Sequence, residues 1–149
     1  MKLKFASLLA VATLSVGFLA PAHAAVTPDK LDGVKLVSAE QARDLQAKGA
    51  PLIDTRVAAE YAEKTAKGAI SITYREKSAK EAGFDPKLDS FDLSKLPADK
   101  TAPVVMFCNA GECWRSYKAA AVARDAGYKQ VHWFRGGMPE WNSKSLPTQ

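Results

Sequence analysis

Nine consecutive residues, Cys108-Asn109-Ala110-Gly111-Glu112-Cys113-Trp114-Arg115-Ser116, gather two thiols, a guanidinium and a hydroxyl. The apolar run Val104–Phe107 leads into the first cysteine, and a stretch rich in small residues with helical character follows the serine. A sulfur held where a strand hands over to a helix meets backbone N–H groups that lack helical partners and carry partial positive charge. Those groups favour the anion, and the thiolate is the nucleophilic form of cysteine. The spacing therefore predicts nucleophilic sulfur chemistry at Cys108, with Asn109, Ala110, Gly111, Glu112, Trp114, Arg115 and Ser116 as the anion-binding loop. Arg115 can grip an anion through its planar fork, whereas Ser116 is better placed to satisfy neighbouring backbone groups. Glu112 opposes an electropositive pocket unless it points outward. Trp114 is expected either to wall the pocket or to shield the loop from below.

Cys113 has three readings: a resolving thiol that accepts sulfur or closes a disulfide with Cys108, a small apolar loop residue, or the nucleophile itself with Cys108 as its partner. A bond closing so short a loop constrains the unfolded chain less than one joining distant segments. A Cys108–Cys113 bridge therefore reads as a redox state of the site rather than a brace. The bland alternative for Cys108 is a buried, inert thiol. Beyond residue 24 the chain carries one histidine, His132, which with two cysteines is too thin a ligand set for a structural metal. No metal or cofactor is expected.

The elements that must position these groups follow from period and punctuation. Val34–Val37 reads as a short strand, and Ser38-Ala39-Glu40-Gln41 matches a capping box opening a helix that Gly49 stops after Lys48. Pro51–Ile53 is a second strand, ending at the polar residues Asp54-Thr55-Arg56, and Val57–Lys64 is helical. Ala69–Ile72 is a third strand. Tyr74–Lys100 turns charged and is broken by Gly83, Pro86 and Pro97, so a surface excursion with one helical turn is expected. Val104–Phe107 is apolar at every position, as in a strand covered on both faces. Ala119, Val122, Ala123 and Ala126 share one face of the next helix, Gly127 ends it, and Val131–Phe134 is the last strand. The alternation predicts one α/β domain with a central, mostly parallel sheet, helices on both faces, and active groups at the carboxyl ends of the strands. Asp54, Arg56 and Arg135 sit at such ends and are candidates for the pocket rim, although Asp54 and Arg56 also read as a structural pair.

Lys2 and Lys4 precede the apolar run Phe5–Ala20, and Ala22-His23-Ala24 follows it, the pattern of a secretory signal peptide cleaved after Ala24. The run falls short of the ~20 apolar residues of a membrane span, and Pro21 interrupts it. The expected organisation is a signal peptide over residues 1–24 and one domain over residues 25–149, exported to the periplasm and free of the membrane after cleavage. Loss of Lys2 and Lys4 lowers the formal charge from +5 to +3. Basic and acidic residues interleave, as in Asp29-Lys30-Leu31-Asp32, so no block of one sign suggests nucleic acid. Residues 25–33 read as a loose leading segment with a turn at Asp32-Gly33.

Four segments in order resemble the rhodanese-like family of single-domain α/β sulfurtransferases. They are Ile53–Arg56 with Glu60-Tyr61, then Gly68–Ile72, then Val104–Ala121, then Phe134-Arg135-Gly136-Gly137-Met138-Pro139-Glu140-Trp141. The resemblance implies a persulfide on Cys108, formed by attack on the outer sulfur of a donor such as thiosulfate and passed to a thiol or cyanide. The partners it implies are a small sulfur-containing anion and a thiol acceptor, free or on a protein. Two departures stand out. The usual family loop, Cys-x-x-Gly-x-Arg-Ser, is here two residues longer, and Gly-His-Ile is replaced by Gly68-Ala69-Ile70. Phosphatases of this fold use Cys-x5-Arg, whereas six residues separate Cys108 from Arg115. The competing reading is a thiol redox or sulfane-carrier module that cycles the Cys108/Cys113 pair.

Overall fold

A computed structural model describes residues 25–149; the expected signal peptide lies outside the described residues. Five strands form one sheet: β1 (Lys35–Leu36), β2 (Leu52–Asp54), β3 (Ile70–Ser71), β4 (Pro103–Phe107) and β5 (Gln130–Phe134), in the order β1-β5-β4-β2-β3. Every pairing is parallel, so the expected mostly parallel sheet is wholly so among the described residues. β4 lies at the centre and is buried from Val104 to Phe107.

Alternate β4 side chains feed two cores, as the two-residue period of a strand requires. Val104 and Met106 pack with Ile53, Trp133 and the helix α3 (Trp114–Asp125); Val105 and Phe107 pack with Leu52, Phe134 and Trp141. The second core is closed by α1 (Ala39–Ala47) and α4 (Gly137–Ser143). The capping box forms as read: Gln41 N–H donates to Ser38 Oγ at 3.3 Å and Ser38 N–H donates to Gln41 Oε1 at 2.9 Å. α2 (Ala58–Glu63) follows β2.

The segment from Tyr74 to Lys100 is the expected surface excursion, with more order than one helical turn. It carries two short 3-10 turns, Pro86–Leu88 and Leu93–Lys95, and is anchored by a buried polar knot. Lys118, fully buried on α3, lies 2.9 Å from Glu76 Oε2 and 3.7 Å from Asp89 Oδ2, and donates to Ser78 Oγ at 2.8 Å. Asp89 in turn accepts from the Ser78 and Tyr74 hydroxyls and from the Lys77 and Ser78 backbone N–H groups. Burial raises the Asp89 carboxyl, but these four hydrogen bonds outweigh it and hold the group down at about 2. Burial and the adjacent Asp89 carboxylate push the Tyr74 phenol well above its ordinary value.

Residues 25–33 are not loose. Thr27 is buried, Leu31 joins the core beside α3, and only the Asp32-Gly33 turn follows expectation.

Candidate active site

The parallel register places Asp54, Phe107 and Phe134 side by side, so Thr55, Cys108 and Arg135 leave the sheet at one level. Cys108 therefore emerges at the carboxyl edge in the middle of the sheet. Its carbonyl accepts the Met138 N–H at 2.9 Å, which ties the start of α4 to the cysteine. Gly137 makes this approach possible. Its φ is +53°, and a side-chain carbon there would fall well inside contact distance of the Cys108 carbonyl oxygen.

Beyond Cys108 the chain turns tightly: Ala110 adopts φ +45° and its carbonyl accepts the Cys113 N–H at 3.2 Å. A non-glycine residue in this region is strained and persists where its surroundings over-determine it. The determinants lie far away in sequence. Gly111 O accepts from both the N–H and the hydroxyl of Thr27, at 2.7 and 2.8 Å. Trp114 Nε1 donates to Ala25 O at 2.7 Å. Arg135 donates to Thr27 Oγ1 and to Thr27 O, at 3.1 and 2.9 Å, and its guanidinium packs against Gly111. Arg135 thus braces the loop through the leading segment.

Cys113 caps the amino end of α3 and is joined to Cys108 by a disulfide, with the Cα atoms 6.3 Å apart. Cys108 is 1% exposed; Cys113 is half-buried and lines a cavity of about 240 Å³ with Glu76, Lys80, Asn109, Glu112, Trp114 and Arg115. The contact on Cys108 Sγ comes from a side chain: Ser116 Oγ lies 3.0 Å away. Ser116 is itself buried and receives a 3.0 Å hydrogen bond from Trp133 Nε1. An indole N–H can only donate and a disulfide sulfur carries no proton, so Ser116 accepts from Trp133 and donates to Cys108. Ser116 consequently stands behind the sulfur and does not line the anion pocket. In this disulfide state no backbone N–H among the described residues donates to the sulfur; the Cys113 carbonyl oxygen approaches it at 3.2 Å.

Arg115 and Asn109 both reach the cavity and both meet Glu60 of α2. Arg115 Nη1 lies 3.7 Å from Glu60 Oε2, and Asn109 Nδ2 donates to Glu60 Oε1. Arg115 stays about one-third exposed, so an anion in the cavity would compete with Glu60 for it. Lys80 adds a second cation to the lining, while Glu76, which also lines the cavity, is paired with the buried Lys118. Glu112 lines the cavity and is exposed. Trp114 both lines the cavity and packs edge-on against Tyr117, their ring centroids 5.2 Å apart.

Two rim expectations are corrected. Asp54 is fully buried and accepts from Arg56 and Thr65, so it locks the β2 terminus rather than facing a pocket. Arg56 is held in the same pair and faces a separate cavity with Glu60, Lys64 and Pro139. Glu60, Glu76, Lys80, Lys118 and Thr27 went unread as site residues. Their roles depend on contacts across the fold, and the one local signal was a lysine set among the alanines of α3.

The Rhodanese-like domain family model matches residues 38–144. The chain belongs to this family. This rhodanese-like chain is 28% identical over 113 residues to thiosulfate sulfurtransferase 16, chloroplastic, of Arabidopsis thaliana, covering 76% of this chain and 91% of that protein. Among solved structures it is similar to the human single-domain sulfurtransferase TSTD1, with 28% identity, a TM-score of 0.54, and 74% and 97% of the two chains covered. It is also similar to the polysulfide-sulfur transferase homodimer of Wolinella succinogenes, with 25% identity, a TM-score of 0.56, and coverage of 78% and 79%. These relatives support sulfur transfer as the general chemistry of this rhodanese-like domain.

Proposed function

We propose that this rhodanese-like protein moves a sulfane sulfur from a thiosulfate-type donor to a thiol or cyanide acceptor through a persulfide on Cys108. The observation that carries the reading is the position of Cys108 at the end of the central strand, at the amino end of α3, with the Ser116 hydroxyl aimed at its sulfur. A twelve-residue helix brings partial positive charge there, and a charge-assisted hydrogen bond stabilises a thiolate. Reduction of the bridge is the first requirement, because only the free thiolate attacks. The Cys108 thiolate then bonds to the outer sulfur of thiosulfate, the donor S–S bond breaks, and sulfite departs with the electron pair. Arg115 and Lys80 hold the anionic donor at the cavity mouth. An acceptor thiolate or cyanide takes the outer sulfur and restores the Cys108 thiolate.

The expected signal peptide supports export to the periplasm, where the partners are a small sulfur anion and a thiol, free or on a protein. Among the described residues no helix is long and apolar enough to cross a membrane. The bonded pair favours a second reading, a module cycling between dithiol and disulfide. Thiocyanate formation from thiosulfate and cyanide, measured on the reduced protein, tests the first. Turnover abolished by Cys108→Ser supports it; a Cys108→Ser variant as active as the parent sinks it.

A further inference from the structure

We propose that Cys113 discharges the Cys108 persulfide from within, so that the reduced protein releases sulfide and is left as the Cys108–Cys113 disulfide. The inference rests on the sulfur-transfer reading and adds a product to it. In the step itself, the Cys113 thiolate bonds to the inner sulfur on Cys108, the bond to the outer sulfur breaks, and hydrosulfide leaves with the electron pair. Over persulfide formation and discharge together, the cysteine pair gives up two electrons and the sulfane sulfur takes them as it becomes sulfide. An external dithiol then reduces the bridge, giving overall thiosulfate and dithiol to sulfite, sulfide and disulfide.

Three observations carry this. The Cα atoms of the pair stand 6.3 Å apart, inside the range of ordinary disulfides, so the two sulfurs meet in this fold without backbone movement. The loop has no need of the bridge as a brace. Thr27 already holds Gly111, the Ala110 carbonyl holds the Cys113 N–H, and Arg135 packs beneath.

The surroundings of the two sulfurs are also unequal. Cys108 is 1% exposed, its inner sulfur walled in by Ser116 on one side and Cys113 on the other, whereas Cys113 opens onto the cavity. Four intervening residues keep the second thiol at an effective concentration of millimolar or higher, ahead of dilute free acceptors. During reduction the same asymmetry sets direction. The external thiol attacks the accessible Cys113 sulfur, and Cys108 leaves as the thiolate that the Ser116 hydroxyl stabilises.

The test is a single turnover of the full mature chain, reduced, freed of reductant under inert gas, and mixed with thiosulfate alone. Sulfite, sulfide and intact mass are followed together. About one equivalent each of sulfite and sulfide, with the protein lighter by two hydrogens, is expected. Cys113→Ser should instead retain one added sulfur and release roughly tenfold less sulfide or lower still. Sulfite with a lasting added sulfur and no sulfide from the parent protein overturns the inference while leaving sulfur transfer intact. Equal sulfide from Cys113→Ser also overturns it. Absence of sulfite and of any added sulfur overturns the sulfur-transfer reading, and the inference falls with it.

Discussion

Trp133 Nε1 donates to Ser116 Oγ at 3.0 Å, and this bond fixes the direction of the serine hydroxyl toward Cys108 Sγ. A tryptophan of β5 thereby orients a donor on α3 against a sulfur at the end of β4.

Ser116→Ala removes a hydrogen bond to a charged acceptor, worth about 1.5–3 kcal/mol, so sulfur transfer should fall roughly tenfold or more. Alkylation of the reduced protein should also move to higher pH. Trp133→Phe should give the same displacement in smaller measure, since the hydroxyl remains but is free to turn. Iodoacetamide rates measured across pH read this displacement, and an unchanged urea-denaturation midpoint for the same variants separates the positioning role from a general loss of structure.

Lys118→Met leaves Glu76 and Asp89 facing each other in a buried site without their cation. Breaking one side of such a network typically costs about 3–5 kcal/mol. Urea denaturation should show a lowered midpoint, and hydrogen exchange should rise across residues 75–91. An unchanged midpoint would remove the knot as the anchor of that segment.

Gly137→Ala combines a positive φ with a clash on the Cys108 carbonyl. A cost of about 2 kcal/mol or more is expected, because the α4 start must withdraw from the cysteine. Thermal unfolding measures the cost, and sulfur-transfer rate should drop further than the population of folded protein explains.

Acid should weaken the fold in two windows. Burial, chiefly, with Lys35 adding to it, lowers the His132 imidazole below its ordinary 6.5. The unfolded chain then binds the proton more readily, so this contribution is complete above about 6.5 and fades as pH falls below it. Asp89 is held down from 3.8 to about 2, so its contribution of about 2 kcal/mol is complete above 3.8 and lost as pH falls toward 2. Denaturation free energy measured from pH 7 to 2 should decline in both ranges, and His132→Gln should flatten the upper one alone.

The strand-cysteine-loop-helix unit was legible because an all-apolar strand calls for cover on both faces, as in a parallel sheet with helices around it, whose strands share one carboxyl edge. Cys108 and Arg135 were placed at the right edge for that reason. The direction of Arg135 was not legible, since it depends on Thr27, which lies 108 residues earlier. α4 went unread, although Pro139 fits its first turn, where a missing N–H costs nothing. What ties down the segment from Tyr74 to Lys100 was not legible, because its anchor, Lys118, belongs to another element and its burial leaves no periodic trace. Asp54 and Arg56 were readable as a pair, but which way the pair faced was not.

The loop bearing both sulfurs is finished by Thr27 and Ala25, which lie 84 and 89 residues upstream of the groups they bind. Contacts so distant along the chain are late to form, because the entropy of closing the intervening segment must be met first. During folding, both thiols are therefore open to any thiol reagent in solution before their shelter exists. Pulsed alkylation in a refolding experiment would follow them as they pass from open chain to guarded pair.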